Sequence, residues 1–106
     1  MIGDDLGQLA TLLDVHAPGW DDRKPHFAAD DVMLEVDDLD EAEQQRRKGL
    51  ASVAMAYCAV WEGDFEFMAD MRHRVENEWG LSAGQTKGIL NCLSSEILRG
   101  RRDAQR

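Results

Sequence analysis

Residues 50–61, Leu50-Ala51-Ser52-Val53-Ala54-Met55-Ala56-Tyr57-Cys58-Ala59-Val60-Trp61, decide the fold. Leu50, Val53, Tyr57 and Trp61 recur at helical spacing and share one face. Ala51, Met55 and Cys58 lie beside that stripe, so the segment is apolar almost all round. A helix of that kind is buried on several sides, and a central helix is expected over residues 39–61. Its first half, residues 40–48, is nearly all charged or Gln. That half should project from the body or lie on its surface. Asp38 with Glu41 three residues on has the form of a capping box.

Upstream, Leu6, Leu9, Leu13 and Ala17 predict a helix over residues 4–16. Asp4 and Asp5 suit its positive end, and Pro18-Gly19 stops it. Downstream, Gly63 ends the central helix and Asp64 is placed to cap the next, whose apolar face is Phe65, Met68, Met71, Val75 and Trp79. Gly80 reads as its C-terminal stop. Ser82 and Gln85 form a second capping box and open a last helix with Ile89, Leu90, Leu93 and Ile97 facing inward. Gly100 is expected to end it, leaving residues 101–106 as a flexible basic tail. Residues 18–38 are irregular. Residues 32–36 alternate well enough for a short strand, but a lone strand has no partner, which favours loop or helix. The expected fold is all-α. It is a compact bundle of three to four helices in a single domain over residues 1–106, with an irregular acidic segment between the first and second helices.

Formal net charge is −9. Residues 1–45 carry −11 of it and residues 46–106 carry +2. The front half is therefore carboxylate-dense, and the rest reads as a nearly neutral helical body that supplies the stability. On this reading, loss of residues 1–38 leaves most of the helical signal. Such a negative surface disfavours non-specific contact with nucleic acid. Cys58 and Cys92 sit in apolar helical stretches and outside any C-x-x-C pair, which suits buried, inert, reduced thiols. No signal peptide or membrane span is legible, so a cytoplasmic protein without a membrane partner is expected.

The motifs that carry chemistry fail on spacing. His16, His26 and His73 are too far apart in sequence for a zinc pattern. The paired acids miss the calcium-loop pattern, since a loop opened at Asp38 puts Glu43 where glycine must stand. Residues 80–87 lack the lysine directly after the last glycine that a phosphate-binding loop requires. Carboxylates in polar stretches have no shielded pocket to shift their pKa. No catalytic residue, metal ligand or cofactor is expected.

Two stretches remain as binding candidates. Eight acids fall in the fourteen residues 30–43, interleaved with Val32, Met33, Leu34, Val36 and Leu39. In such a segment charge steers and apolar groups hold. The candidate partner-binding residues are Asp30, Asp31, Met33, Glu35, Asp37, Asp38, Asp40 and Glu41. The alternative is a helix-turn-helix over residues 64–99. Gln85, Lys87, Asn91 and Ser94 would be its exposed readers, with Arg99, Arg101 and Arg102 at the phosphates.

Residues 63–71 (GDFEFMADM) and 80–92 (GLSAGQTKGILNC) together resemble a two-helix segment of small uncharacterised proteins of actinobacteria and their phages. The resemblance implies a phage or mobile-element accessory protein and brings no site residues. Taken together, the sequence points to a non-enzymatic interaction protein. It would bind and modulate a host or viral protein, itself a nucleic-acid-binding one if the acids imitate phosphates. A transcription-related DNA-binding protein is the alternative.

Overall fold

The computed structural model describes residues 3–105, with side chains from Asp5 onward; the side chain of Asp4 and residue Arg106 lie outside the described residues. The helices among them are α1 (Gly3–His16), α2 (Glu41–Val60), α3 (Glu66–Glu76) and α4 (Ala83–Ala104). The α1–α2 connection holds two 3₁₀ turns, Trp20–Asp22 and Ala29–Asp31, and no strand occurs among the described residues. The chain is an all-α bundle.

Helix α2 is the centre, packing against α1, α3 and α4. Leu50, Val53, Ala54, Tyr57, Cys58 and the flanking Trp61 are buried, while Ser52, Met55, Ala56 and Ala59 are exposed, so α2 keeps one side open instead of being enclosed all round. Leu9, Leu13 and Ala17 come from α1, Met68 and Met71 from α3, and Ile89, Leu90, Leu93 and Ile97 from α4. The connection adds Trp20, Phe27 and Val32, the first two almost wholly shielded from solvent. The acidic front half is thus part of the core. Loss of residues 1–38 would remove Leu9, Leu13, Ala17, Trp20, Phe27 and Val32 from it, contrary to the expectation of a self-sufficient body behind.

Several element ends differ from expectation. Helix α2 starts at Glu41, capped by Asp40, whose carboxylate accepts from the Glu43 N–H at 2.7 Å. Asp38 instead takes a left-handed conformation, φ 70°. Helix α3 has Phe65, not Asp64, at its N-cap, without a side-chain hydrogen bond. It ends at Glu76, and the left-handed residue that closes it is Glu78 (φ 58°), not Gly80. The Glu78 N–H donates to the Val75 carbonyl at 3.1 Å and the Trp79 N–H to the Arg74 carbonyl at 2.8 Å. That bond pair is a Schellman closure. It carries Trp79 off the helix face and leaves it half exposed.

Helix α4 begins as expected. Ser82 Oγ accepts from the Gln85 N–H at 3.0 Å, and Gln85 Oε1 accepts from the Ser82 N–H at 2.9 Å. It does not stop at Gly100 but runs to Ala104. Residues 101–104, expected to be a loose tail, form its last turn. Arg101 explains the extension: its guanidinium lies 5.5 Å from the Trp20 ring centroid and pairs with Asp21 at 3.1 Å. Those contacts outweigh the helix penalty of one glycine, about 1 kcal/mol.

Candidate functional site

The acidic segment is fastened to the helical body at defined points. Asn91 of α4 holds Phe27 by both backbone groups: the Phe27 N–H donates to Asn91 Oδ1 at 2.9 Å, and Asn91 Nδ2 donates to the Phe27 carbonyl at 3.0 Å. An amide side chain here does what a neighbouring strand would do for a buried peptide unit. Asp31 closes the next turn, accepting from the Ala28 N–H and from Arg23, each at 2.8 Å. Burial alone would raise the Asp31 carboxyl; the Ala28 N–H and the Arg23 guanidinium outweigh it and hold it below the usual value. Arg47 of α2 donates to the Met33 carbonyl at 2.6 Å, and Arg46 reaches the His16 carbonyl at 3.4 Å. Glu43 organises both arginines, 2.6 Å from Arg46 and 2.9 Å from Arg47. Their hydrogen bonds, Arg46's first, lower its carboxyl to about 2. Of the two expectations for the charged first half of α2, the second holds: it lies on the surface, with Glu41, Gln44, Gln45 and Lys48 exposed, while Arg46 and Arg47 clamp the connection.

These fastenings sort the eight acids of residues 30–43. Asp31, Asp40 and Glu43 are engaged in the fold. Asp30, Glu35, Asp37, Asp38 and Glu41 are exposed, and their side chains make no hydrogen bond or ion pair among the described residues. Met33 is half buried.

An apolar groove borders this edge. Val32, Met33, Leu34 and Glu35 form one wall, facing Ala51 of α2 and Leu81, Ala83 and Thr86 at the start of α4, around about 430 Å³. A second hollow of about 520 Å³ shares Ala51, Leu81 and Thr86 and continues to Met55, Val75, Glu78 and Trp79. Three large apolar side chains stand open along the two: Leu34 at 43%, Met55 at 48% and Trp79 at 53% exposure. Glu35 is among the residues lining the first hollow and Glu78 among those lining the second. The sequence flagged Met33 and Glu35 but not Met55, Trp79 or Glu78. The helical spacing puts Met55 and Trp79 on apolar faces; in the fold both are about half exposed, and the early closure of α3 turns Trp79 outward.

The residues of the helix-turn-helix alternative are placed differently. The α3–α4 connection spans residues 77–82, longer than the three or four residues of that motif. Gln85 is committed to the capping box and Asn91 to Phe27. Ser94, expected outside, is fully buried and donates to the Leu90 carbonyl at 2.8 Å. Lys87 is half buried. Arg99 borders a cleft with Tyr57, Glu96 and Asp103, while Arg101 and Arg102 lie around another cleft with Lys24 and His26.

Burial holds one phenol and both thiols in their protonated forms. Tyr57 donates its hydroxyl to Glu96; burial, then that carboxylate, pushes the phenol far above its usual range. Burial raises the Cys58 thiol to about 11 and raises Cys92 as well, so both stay protonated near neutrality. His16 packs against Gly49, where an added Cβ would collide with its ring. Among the described residues no group of three or more His, Cys, Asp or Glu is arranged to hold a metal ion. None of their helices is long and apolar enough to cross a membrane. Comparison with protein-family models, curated proteins and solved structures gives no match.

Proposed function

We propose that this chain is a non-enzymatic interaction protein that captures a basic partner protein. It does so through the carboxylate edge formed by Asp30, Glu35, Asp37, Asp38 and Glu41 and the apolar groove beside it. The observation that carries the reading is the juxtaposition of five carboxylates without an internal partner with a groove where Leu34, Met55 and Trp79 stand open. Unpaired surface carboxylates raise the local concentration of a basic surface and speed its encounter. Apolar side chains in a groove then supply the lasting contact, because anchors that lose their water carry most of the binding free energy. A partner that normally holds a nucleic-acid backbone has the matching basic face, and the carboxylates would stand in for phosphates on it. The resemblance of residues 63–92 to phage and actinobacterial proteins is the ground for seeking that partner in a bacterial host or its viruses.

Two variants test this by comparing what each retains from a bacterial lysate with what the parent chain retains. One replaces the five acids by Asn or Gln; the other carries Leu34→Ser, Met55→Ser and Trp79→Ser. None of these side chains is part of the buried core, so the helical circular-dichroism signal should persist in both. The expected result is a protein held by the parent chain, released by salt, and lost from both variants. Equal retention of the same proteins by parent and variants would contradict the proposal.

A further inference from the structure

A cleft of about 480 Å³ lies on another part of the molecule, where residues 24–26 meet the last turns of α4. Lys24, His26, Ser95, Leu98, Arg101 and Arg102 are among its walls. Lys24, Lys48, Lys87, Arg99 and Arg102 all lack a carboxylate partner among the described residues, and what sets Lys24 and Arg102 apart is that they line one cleft together. The Lys24 ammonium and the Arg102 guanidinium form no ion pair or hydrogen bond among the described residues. Their neighbours are held in place. Arg101 is fixed between the Trp20 ring and Asp21, and the His26 ring is fixed by a 3.0 Å contact of Nδ1 with the Trp20 carbonyl. Trp20 itself is fully buried and donates from Nε1 to Asp14 at 2.9 Å. The cleft is thus a cationic pocket on a rigid footing, with Leu98 as an apolar wall and the Ser95 hydroxyl beside it.

The geometry points to a binding site for a single phosphate group, carried on a small phosphomonoester. Arg102 offers a planar fork of donors and Lys24 a compact charge, the pairing that suits a tetrahedral dianion. Leu98 favours an ester with an apolar substituent over the free ion. A nucleic-acid backbone is the poorer occupant. Its successive phosphates would meet a molecule of net charge −9, with Asp21 and Asp22 in the adjacent turn. This site is separate from the carboxylate edge, and its failure would leave that reading untouched.

The test is a titration of the full chain with inorganic phosphate and with phenyl phosphate, followed by amide and side-chain chemical shifts. The double variant Lys24→Ala, Arg102→Ala is run alongside. Both side chains are exposed and unpaired, so the variant should keep the parent's melting temperature. The expected result is saturable binding of both probes, perturbing residues 24–26, 95–98 and 102. Phenyl phosphate should bind more tightly, and the double variant should lose roughly tenfold or more in affinity. Shifts that fail to saturate, that fall elsewhere, or that persist in the double variant would overturn the assignment. So would a duplex oligonucleotide binding the same residues more tightly than phenyl phosphate with steep salt dependence.

Discussion

Asn91 shows how one side chain can decide what a surface looks like. On sequence it was a polar residue on an outward helix face. In the fold it satisfies both backbone groups of Phe27, a residue 64 positions away and 1% exposed. No helical spacing or local motif announces such a bond, because its partner is a peptide group and carries no residue type. Asn91→Ala leaves an N–H and a carbonyl without partners in a dry place, at about 1–3 kcal/mol for each group. The expected loss is about 2–6 kcal/mol, read from the midpoint of urea unfolding; a change within a few tenths of a kcal/mol would show that water replaces the amide. The same limit explains the acids. The sequence picked out Asp31 and Asp40 along with Glu35 and Asp37, but composition cannot separate a carboxylate that caps a turn from one that faces solvent.

At the scale of elements, helix existence was legible and helix ends were only partly so. The apolar spacings in α1, α2 and α4 match the buried faces, and Ser82 with Gln85 capped α4 where expected. Ends failed where two good local signals competed or where a tertiary contact overrode one. Asp38 and Asp40 are equally apt caps, and Arg47 on the Met33 carbonyl helps fix the register that selects Asp40. Glu78 at φ 58° bears a left-handed conformation that glycine adopts freely, while Gly80 two residues on is spared it. Glu78→Gly relieves roughly 1–2 kcal/mol of backbone strain and gives back about 0.5–1 kcal/mol to the unfolded chain. A rise of a few degrees in melting temperature is expected by calorimetry; a fall would show that the Glu78 side chain itself stabilises the turn. The clamp at the start of α2 has a pH signature. The folded Glu43 carboxyl, at about 2 against an ordinary 4.5, is depressed, so its contribution is complete above 4.5 and fades as pH falls toward 2. Asp31 is shifted in the same direction. Stability should therefore decline below about pH 4.5, and Glu43→Gln should flatten that decline in thermal melts across the acid range. Parallel pH profiles for the two proteins would argue against the clamp.

For the molecule as a whole, the charge asymmetry was visible in the sequence and its structural meaning was not. A front half at −11 looked separable from a neutral body. Instead Trp20, Phe27 and Val32 are driven into the core, and the acids between them are left at the rim by that burial. The connection is thus a built surface: a few apolar anchors and polar fastenings order it, and the carboxylates without partners are held in fixed relation to the groove. Both the proposed partner-binding edge and the proposed phosphate site depend on this, since one sits on residues 30–41 and the other on residues 24–26. Amide hydrogen exchange across residues 20–40, resolved by residue, is the most direct measurement. The account predicts that the Phe27 and Val32 amides, bonded to Asn91 and to the Ala29 carbonyl, exchange far more slowly than unstructured chain and that Asn91→Ala releases Phe27. Exchange at unstructured rates throughout the segment, with α1 and α2 still protected, would contradict it.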